Sequence, residues 1–192
     1  MALLAAYWLF YFALHSLLAS DAVKARLAFP RYRLYFNLTA ILLLLPAAGL
    51  LYGQDWPALW TFRGPWKLAA LSVQGAALIA FLVSLRHYDM GEFLGLKPSG
   101  KDTFTISPFH RHVRHPWYFL ALLIVWTSDM NTGRLATAVL VTAYLFLGSR
   151  HEESMLIRRF GDRYARYREK VPGLIPLPWK HLSAEEAETL VK

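Results

Sequence analysis

The sequence predicts an all-α fold, a polytopic membrane helical bundle, and three observations carry that reading. Apolar residues make up 56% of the 192-residue chain and charged residues only 18%, where a soluble domain is usually nearer a quarter charged. The apolar excess is gathered into blocks long enough to reach across a bilayer. The basic residues collect between alternate blocks, as they do where one face of a membrane protein meets the cytoplasm. The length suits a single membrane-embedded domain, 1–192.

Five apolar segments follow one another: 1–20, 35–52, 66–85, 116–128 and 135–149. The first three hold 18 to 20 residues, about 27–30 Å of helix at 1.5 Å per residue, enough for the hydrocarbon core. Segment 1–20 lacks a basic start and a small-residue cleavage site of the usual form, so it reads as a retained helix. The last two segments are shorter, 13 and 15 residues, and are joined by the polar turn Asp129-Met130-Asn131-Thr132-Gly133-Arg134. They are either thin spanning helices extended at their ends or a hairpin that dips in and returns.

The net charge of +8 is topological rather than a mark of nucleic-acid binding. Loop 21–34 carries Lys24, Arg26, Arg31 and Arg33; loop 86–115 carries Arg86, Lys97, Lys101, Arg111 and Arg114; the tail after residue 149 carries nine more. Only Arg63, Lys67 and Arg134 fall on the other side. This places the N-terminus outside and the C-terminal tail in the cytoplasm. In that tail Leu156, Ile157, Phe160 and Tyr164 recur at helical spacing among Arg158, Arg159, Arg163 and Arg166. The pattern predicts a basic amphipathic helix to about Lys170, suited to an anionic membrane surface. Pro172, Pro176 and Pro178 end it, and 183–192 reads as a solvated acidic helix.

Polar chemistry concentrates in Ser107–Tyr118, SPFHRHVRHPWY, and in Arg150-His151-Glu152-Glu153. The residue before a proline is pushed out of the α region, and proline is favoured at the first helical position. The fourth segment should therefore begin at Pro116, with Arg114 and His115 just outside. Free backbone N–H groups and the positive dipole end make that helix start a seat for an anion such as a carboxylate. The competing reading has Arg114 and His115 mark the interface and reach lipid phosphates. Glu152 and Glu153 follow the fifth segment directly. They are suited to accept hydrogen bonds from ribose hydroxyls or to pair with Arg114; intrahelical pairs with Arg159 and Arg150 are the alternative. His15, inside the first segment, is a functional residue by default, or makes an interfacial hydrogen bond. Asn37 lies at similar depth and is its expected partner, and the two are assigned to the acceptor side.

The absence of cysteine excludes disulfides, thiolate catalysis and zinc ribbons. No P-loop, GxGxxG, GxSxG or DFG motif occurs, which excludes a soluble Rossmann cofactor domain. Seven histidines invite a metal or haem reading, but the His-Glu-x-x-His signature is missing, and no metal site is expected. Most of the aromatic residues, 15% of the chain, suit the lipid interface. Tyr88, Trp117, Tyr118 and Tyr164 lie near enough to the polar motifs to contact a cation.

The order Arg114-His115-Pro116-x-Tyr118, then an apolar hairpin, then Glu152-Glu153-x-x-Leu156, Phe160-Gly161-x-x-Tyr164-x-x-Tyr167 and Val171-Pro172 resembles a known superfamily. It is that of the integral-membrane isoprenylcysteine carboxyl methyltransferases and phospholipid methyltransferases. The N-terminal half, with His15-Ser16-Leu17-Leu18-Ala19 and Tyr32-Arg33-Leu34-Tyr35-Phe36-Asn37, looks like its bacterial branch of NnrU-like proteins and methanethiol S-methyltransferases. The chain is shorter than the eukaryotic prenylcysteine enzymes. The resemblance implies S-adenosylmethionine as methyl donor at the cytoplasmic face of a bacterial inner membrane. Residues 103–176 then form the cofactor-binding core, 1–102 the substrate side and 177–192 a tail. By similarity Arg114, His115, Pro116, Tyr118, Glu152 and Tyr164 line the cofactor site. His151, Glu153 and Arg150 are the expected catalytic residues, and His15 and Asn37 meet the acceptor.

The reaction so implied is methyl transfer to a small or lipophilic acceptor: a thiol, a carboxylate or a lipid amine. A thiol has to lose its proton, to His151, Glu153 or His115; a carboxylate needs instead a cation such as Arg114 or Arg150. The lipid bilayer and the acceptor are the expected partners, with no nucleic acid. The alternative is a non-enzymatic haem- or metal-binding accessory of nitrogen-oxide or respiratory metabolism.

Overall fold

A computed structural model describes residues 1–27, 29–98, 100 and 103–191. Ten α-helices and one two-stranded antiparallel pair are found among them. The chain divides into two compact units. The first holds Met1–Phe62, Tyr88–Lys101 and Asp129–Val141; the second holds Arg63–His87, Asp102–Ser128 and Thr142–Lys192.

In the first unit, α1 (Ala2–Ala19) is followed by the short α2 (Asp21–Leu27), then α3 (Tyr32–Leu42) and α4 (Leu44–Tyr52). The second apolar segment is thus one rod with a break at Leu43. Pro46 causes it, because it lacks the N–H that would bond back to Leu42 and its ring crowds that carbonyl. At the break the Leu43 carbonyl accepts from the Tyr7 hydroxyl at 2.7 Å. Leu4 and Ala47 are each 1% exposed, and the small side chain on α4 accommodates its contact with α1. Trp8, Tyr11 and Phe12 form an aromatic cluster on α1. The short strand β1 (Ala58–Trp60) pairs antiparallel with β2 (Met130–Asn131), a feature with no signal in the sequence. Asp129 Oδ1 accepts from Phe62 N at 3.0 Å beside it.

In the second unit, α5 (Gly64–Ser84) packs antiparallel on α7 (Pro116–Trp126), which follows the five-residue α6 (Met90–Leu94) of the first unit. Trp117 Nε1 donates to Ser84 Oγ at 2.7 Å, and Gln74 Nε2 donates to Thr127 O at 2.8 Å. These two bonds pin both ends of α7. The fifth apolar segment and the first part of the tail form one helix, α8 (Thr132–Phe160); its residues from Thr142 onward belong to this unit. Gly161, at φ 57°, breaks the expected continuous helix, and α9 (Asp162–Lys170) starts afresh. Glycine tolerates this conformation at no steric cost. α10 (Ala184–Val191) begins with a reciprocal cap between Ser183 and Glu186. It closes a small core of Tyr164, Tyr167, Val171, Leu182 and Ala187.

Four helical stretches are long and apolar enough to cross a membrane: Ala2–Ala19, Tyr32–Tyr52, Gly64–His87 and Thr132–Phe160. Large apolar side chains are widely exposed on them, among them Leu9, Ile41, Leu68, Ile79 and Leu147, as lipid contact requires. This is an integral membrane protein. The fourth apolar segment forms the shorter helix α7, 11 residues or about 16 Å, roughly half the hydrocarbon core, so any crossing there needs the flanking residues as well.

Candidate active site

α7 starts at Pro116, with His115 non-helical at φ −122° and ψ 70°, as a residue before proline should be. The chain beyond α9 folds back on this point. Arg114 N donates to Pro172 O at 2.8 Å and His115 N to Gly173 O at 3.1 Å. The Arg-His-Pro motif is thereby fixed by backbone before its side chains act.

The Arg114 guanidinium joins three elements. Its Nε and Nη2 meet Glu153 Oε1 at 2.8 and 2.7 Å, while Nη1 donates to Arg168 O at 2.8 Å and to Val171 O. His115 Nε2 lies 3.1 Å from the same Glu153 oxygen, and its Nδ1 lies 3.5 Å from Glu152 Oε2. The imidazole stacks on Tyr118, with ring centroids 5.2 Å apart and planes at 7°. The Tyr118 hydroxyl reaches Glu152 Oε2 at 3.4 Å, a long hydrogen bond.

The two glutamates do different work. The Glu153 side chain is 6% exposed and held by two partners; that of Glu152 is 45% exposed and only loosely engaged. Glu152 is the carboxylate with acceptor capacity to spare. It lines a cavity of about 160 Å³ together with Arg114, His115, His110, Phe104, Phe160 and Tyr164. Burial, then the charge of Glu153, pushes the Tyr164 phenol above its ordinary range, so it stays protonated. His110 Nδ1 lies at hydrogen-bond distance, 2.7 Å, from Ser107 Oγ. Burial, then the neighbouring His115 and His87, lowers its pKa to about 4, which keeps the ring neutral near pH 7.

Arg114, His115, Pro116, Tyr118, Glu152, Glu153 and Tyr164 thus come together. Arg150 and His151 do not. Both are exposed, Arg150 lies over the Phe146 ring at 5.8 Å, and neither lines the cavity. Helical geometry explains it. At about 100° per residue, Ser149, Glu152, Glu153, Leu156 and Phe160 share one face of α8, while His151 falls nearly opposite. His15 packs against Phe36, with centroids 5.0 Å apart, and Asn37 Nδ2 donates to Phe93 O at 3.0 Å. Sequence reasoning missed Phe104, which carries no motif, and His110, whose place in an alternating histidine run suggested a metal instead. Among the described residues no three His, Asp or Glu side chains are grouped to hold a metal ion.

The chain is 32% identical over 133 residues to the methanethiol S-methyltransferase of Pseudomonas sp. strain GM41, covering 61% of this chain and 49% of that protein. It is 40% identical over 81 residues to methanethiol S-methyltransferase 1 of Bradyrhizobium diazoefficiens, covering 42% and 28%. It is 34% identical over 82 residues to the protein-S-isoprenylcysteine O-methyltransferase of Schizosaccharomyces pombe, covering 40% and 35%. The chain therefore spans about half the length, or less, of these curated relatives. No family model and no solved structure matches.

Fold and site define a helical membrane protein with an Arg–His–carboxylate cluster set over an aromatic-walled cavity. Over part of its length the chain is similar to membrane methyltransferases, the methanethiol S-methyltransferases and a protein-S-isoprenylcysteine O-methyltransferase among them. The haem- or metal-accessory reading is not favoured.

Proposed function

We propose that this chain is an S-adenosylmethionine-dependent methyltransferase that methylates a small thiol at the membrane. The observation that carries the reading is the convergence of Arg114, His115 and Glu152 on one cavity walled by Phe104, Phe160 and Tyr164. Relatives named methanethiol S-methyltransferase support a small thiol as the acceptor class.

The residues fit the donor in kind. Glu152 offers free acceptor oxygens for a ribose diol or an ammonium, Arg114 and the start of α7 suit a carboxylate, and the aromatic walls suit adenine or a sulfonium. The cavity is smaller than the roughly 300–1,000 Å³ usual for cofactor-sized ligands. When bound, S-adenosylmethionine supplies a methyl group already activated by its sulfonium, so no metal is needed.

The chain's own residues then bind, orient and exclude water. Glu153 fixes the Arg114 guanidinium and the His115 ring, and in this reading it is a positioning residue rather than a base. His115 Nδ1, with Glu152 beside it, takes the thiol proton and shares it with that carboxylate. In this topology the N-terminus lies outside and the tail in the cytoplasm, where the donor is dissolved. The test is isotope transfer from methyl-labelled S-adenosylmethionine to methanethiol, lipid amines and prenylated cysteines. Transfer to the thiol alone is expected; transfer to none of them overturns the proposal.

A further inference from the structure

The first unit carries two cavities that share Tyr32 and Arg33, of about 510 and 500 Å³. We propose that they form a binding site for the phosphate-bearing headgroup of an anionic phospholipid, drawn from the bilayer around the protein. The first cavity is lined by Lys24 and Arg33 and by the aromatic rings of Phe36 and Phe93. The second adds Arg31 and Lys97.

The charge balance leaves two cations available. Lys24 pairs with Asp21 at 3.1 Å and Lys97 with Asp89 at 3.4 Å. Among the described residues Arg31 and Arg33 make no carboxylate pair. Arg33 uses one donor on the backbone carbonyl of Glu92, at 3.0 Å, while the Glu92 carboxylate lies against Gly100. Two exposed guanidiniums thus remain, and guanidinium matches phosphate in geometry as well as charge.

Backbone conformation supports the assignment. Arg31 is the one non-glycine residue at positive φ among those described, at φ 61° and ψ 26°. A long branched-out side chain held there is costly, and such costs gather at ligand sites. The site also sits at headgroup level. Tyr32 OH bonds Leu18 O at 2.7 Å, tying the end of one candidate span to the start of the next. Phe29, Tyr32 and Tyr35 pack together there, as aromatic residues do at a membrane interface. The apolar lining of Phe36 and Phe93 would meet the glycerol and upper acyl chain. A free phosphate has no use for that lining, which is why the lipid is favoured as its source. Basic pockets between membrane helices bind lipid headgroups on the same principle.

The test uses the purified full chain in phosphatidylcholine nanodiscs. Its thermal midpoint is followed during titration with short-chain phosphatidylglycerol, short-chain phosphatidylcholine or inorganic phosphate. Only phosphatidylglycerol should raise the midpoint. Arg31→Gly and Arg33→Gln should each weaken that response about fivefold. Arg31→Gly should leave the lipid-free midpoint unchanged or higher, because glycine accepts the left-handed conformation, and so it serves even where Arg33→Gln folds poorly. Equal responses to the two lipids, an equal response to inorganic phosphate, or an unaltered phosphatidylglycerol response in Arg31→Gly would each overturn the proposal.

Discussion

Removing the Glu153 carboxylate should unfold more than it inactivates. Its Oε1 accepts from Arg114 Nε and Nη2 at 2.8 and 2.7 Å and meets His115 Nε2 at 3.1 Å. The side chains of Arg114 and Glu153 are 12% and 6% exposed, so the pair is buried rather than a surface bridge. In Glu153→Ala the guanidinium keeps its carbonyl partners, Arg168 O and Val171 O, but its charge goes uncompensated. Breaking a buried pair from one side costs about 3–5 kcal/mol. For a chain of this size that is a fall of about 10 °C in thermal midpoint. Glu152→Ala removes a carboxylate that is 45% exposed and held only by contacts of 3.4 and 3.5 Å. Its stability cost should stay within about 1 kcal/mol, while donor binding falls. Differential scanning fluorimetry of the two variants in one detergent reads the contrast. If Glu153→Ala melts within a degree or two of the parent, Arg114 is not held as described and the argument fails.

Three further outcomes follow from local geometry. His110 has a folded-state pKa of about 4, below its ordinary 6.5, so the unfolded chain takes the proton first as pH falls. Stability present above pH 6.5 is lost between there and about pH 4; denaturation across that window should show a slope that His110→Gln reduces. A Cβ on Gly133 would come within 2.7 Å of the Trp56 ring, so Gly133→Ala should destabilise by about 1–3 kcal/mol in the same measurement. A Cβ on Gly161 would meet nothing within 4 Å, but φ 57° with ψ −134° is a region open almost to glycine alone; Gly161→Ala should cost about 1–3 kcal/mol through the backbone.

Much of the site was legible because its motifs fix backbone. His115-Pro116 announced where α7 begins, and the Glu152-Glu153 and Phe160-to-Tyr167 spacings placed the facing side chains. Adjacency in sequence misled at Arg150 and His151, since a step of one residue turns a helix by about 100° and carries them off the face that Glu152 and Glu153 share. The short reach of α7 was masked because Thr127 and Ser128 continue the apolar run while their hydroxyls bond back to Leu123 O and Ile124 O. The β1–β2 pair and the contribution of Phe104 depend on long-range contacts that no local pattern encodes. Pro46 and Gly161 were visible as breakers, yet each was absorbed into a longer apolar or amphipathic period.

Arg114, His115 and Glu152 are proposed to hold an adenosyl ligand. Calorimetric titration of the purified protein with S-adenosylhomocysteine tests this most directly. Binding should weaken at least about tenfold in Glu152→Gln, the loss of one charged hydrogen-bond acceptor, and stay unchanged in Arg150→Ala. An absence of binding to the parent protein, or equal affinity in Glu152→Gln, would contradict the account.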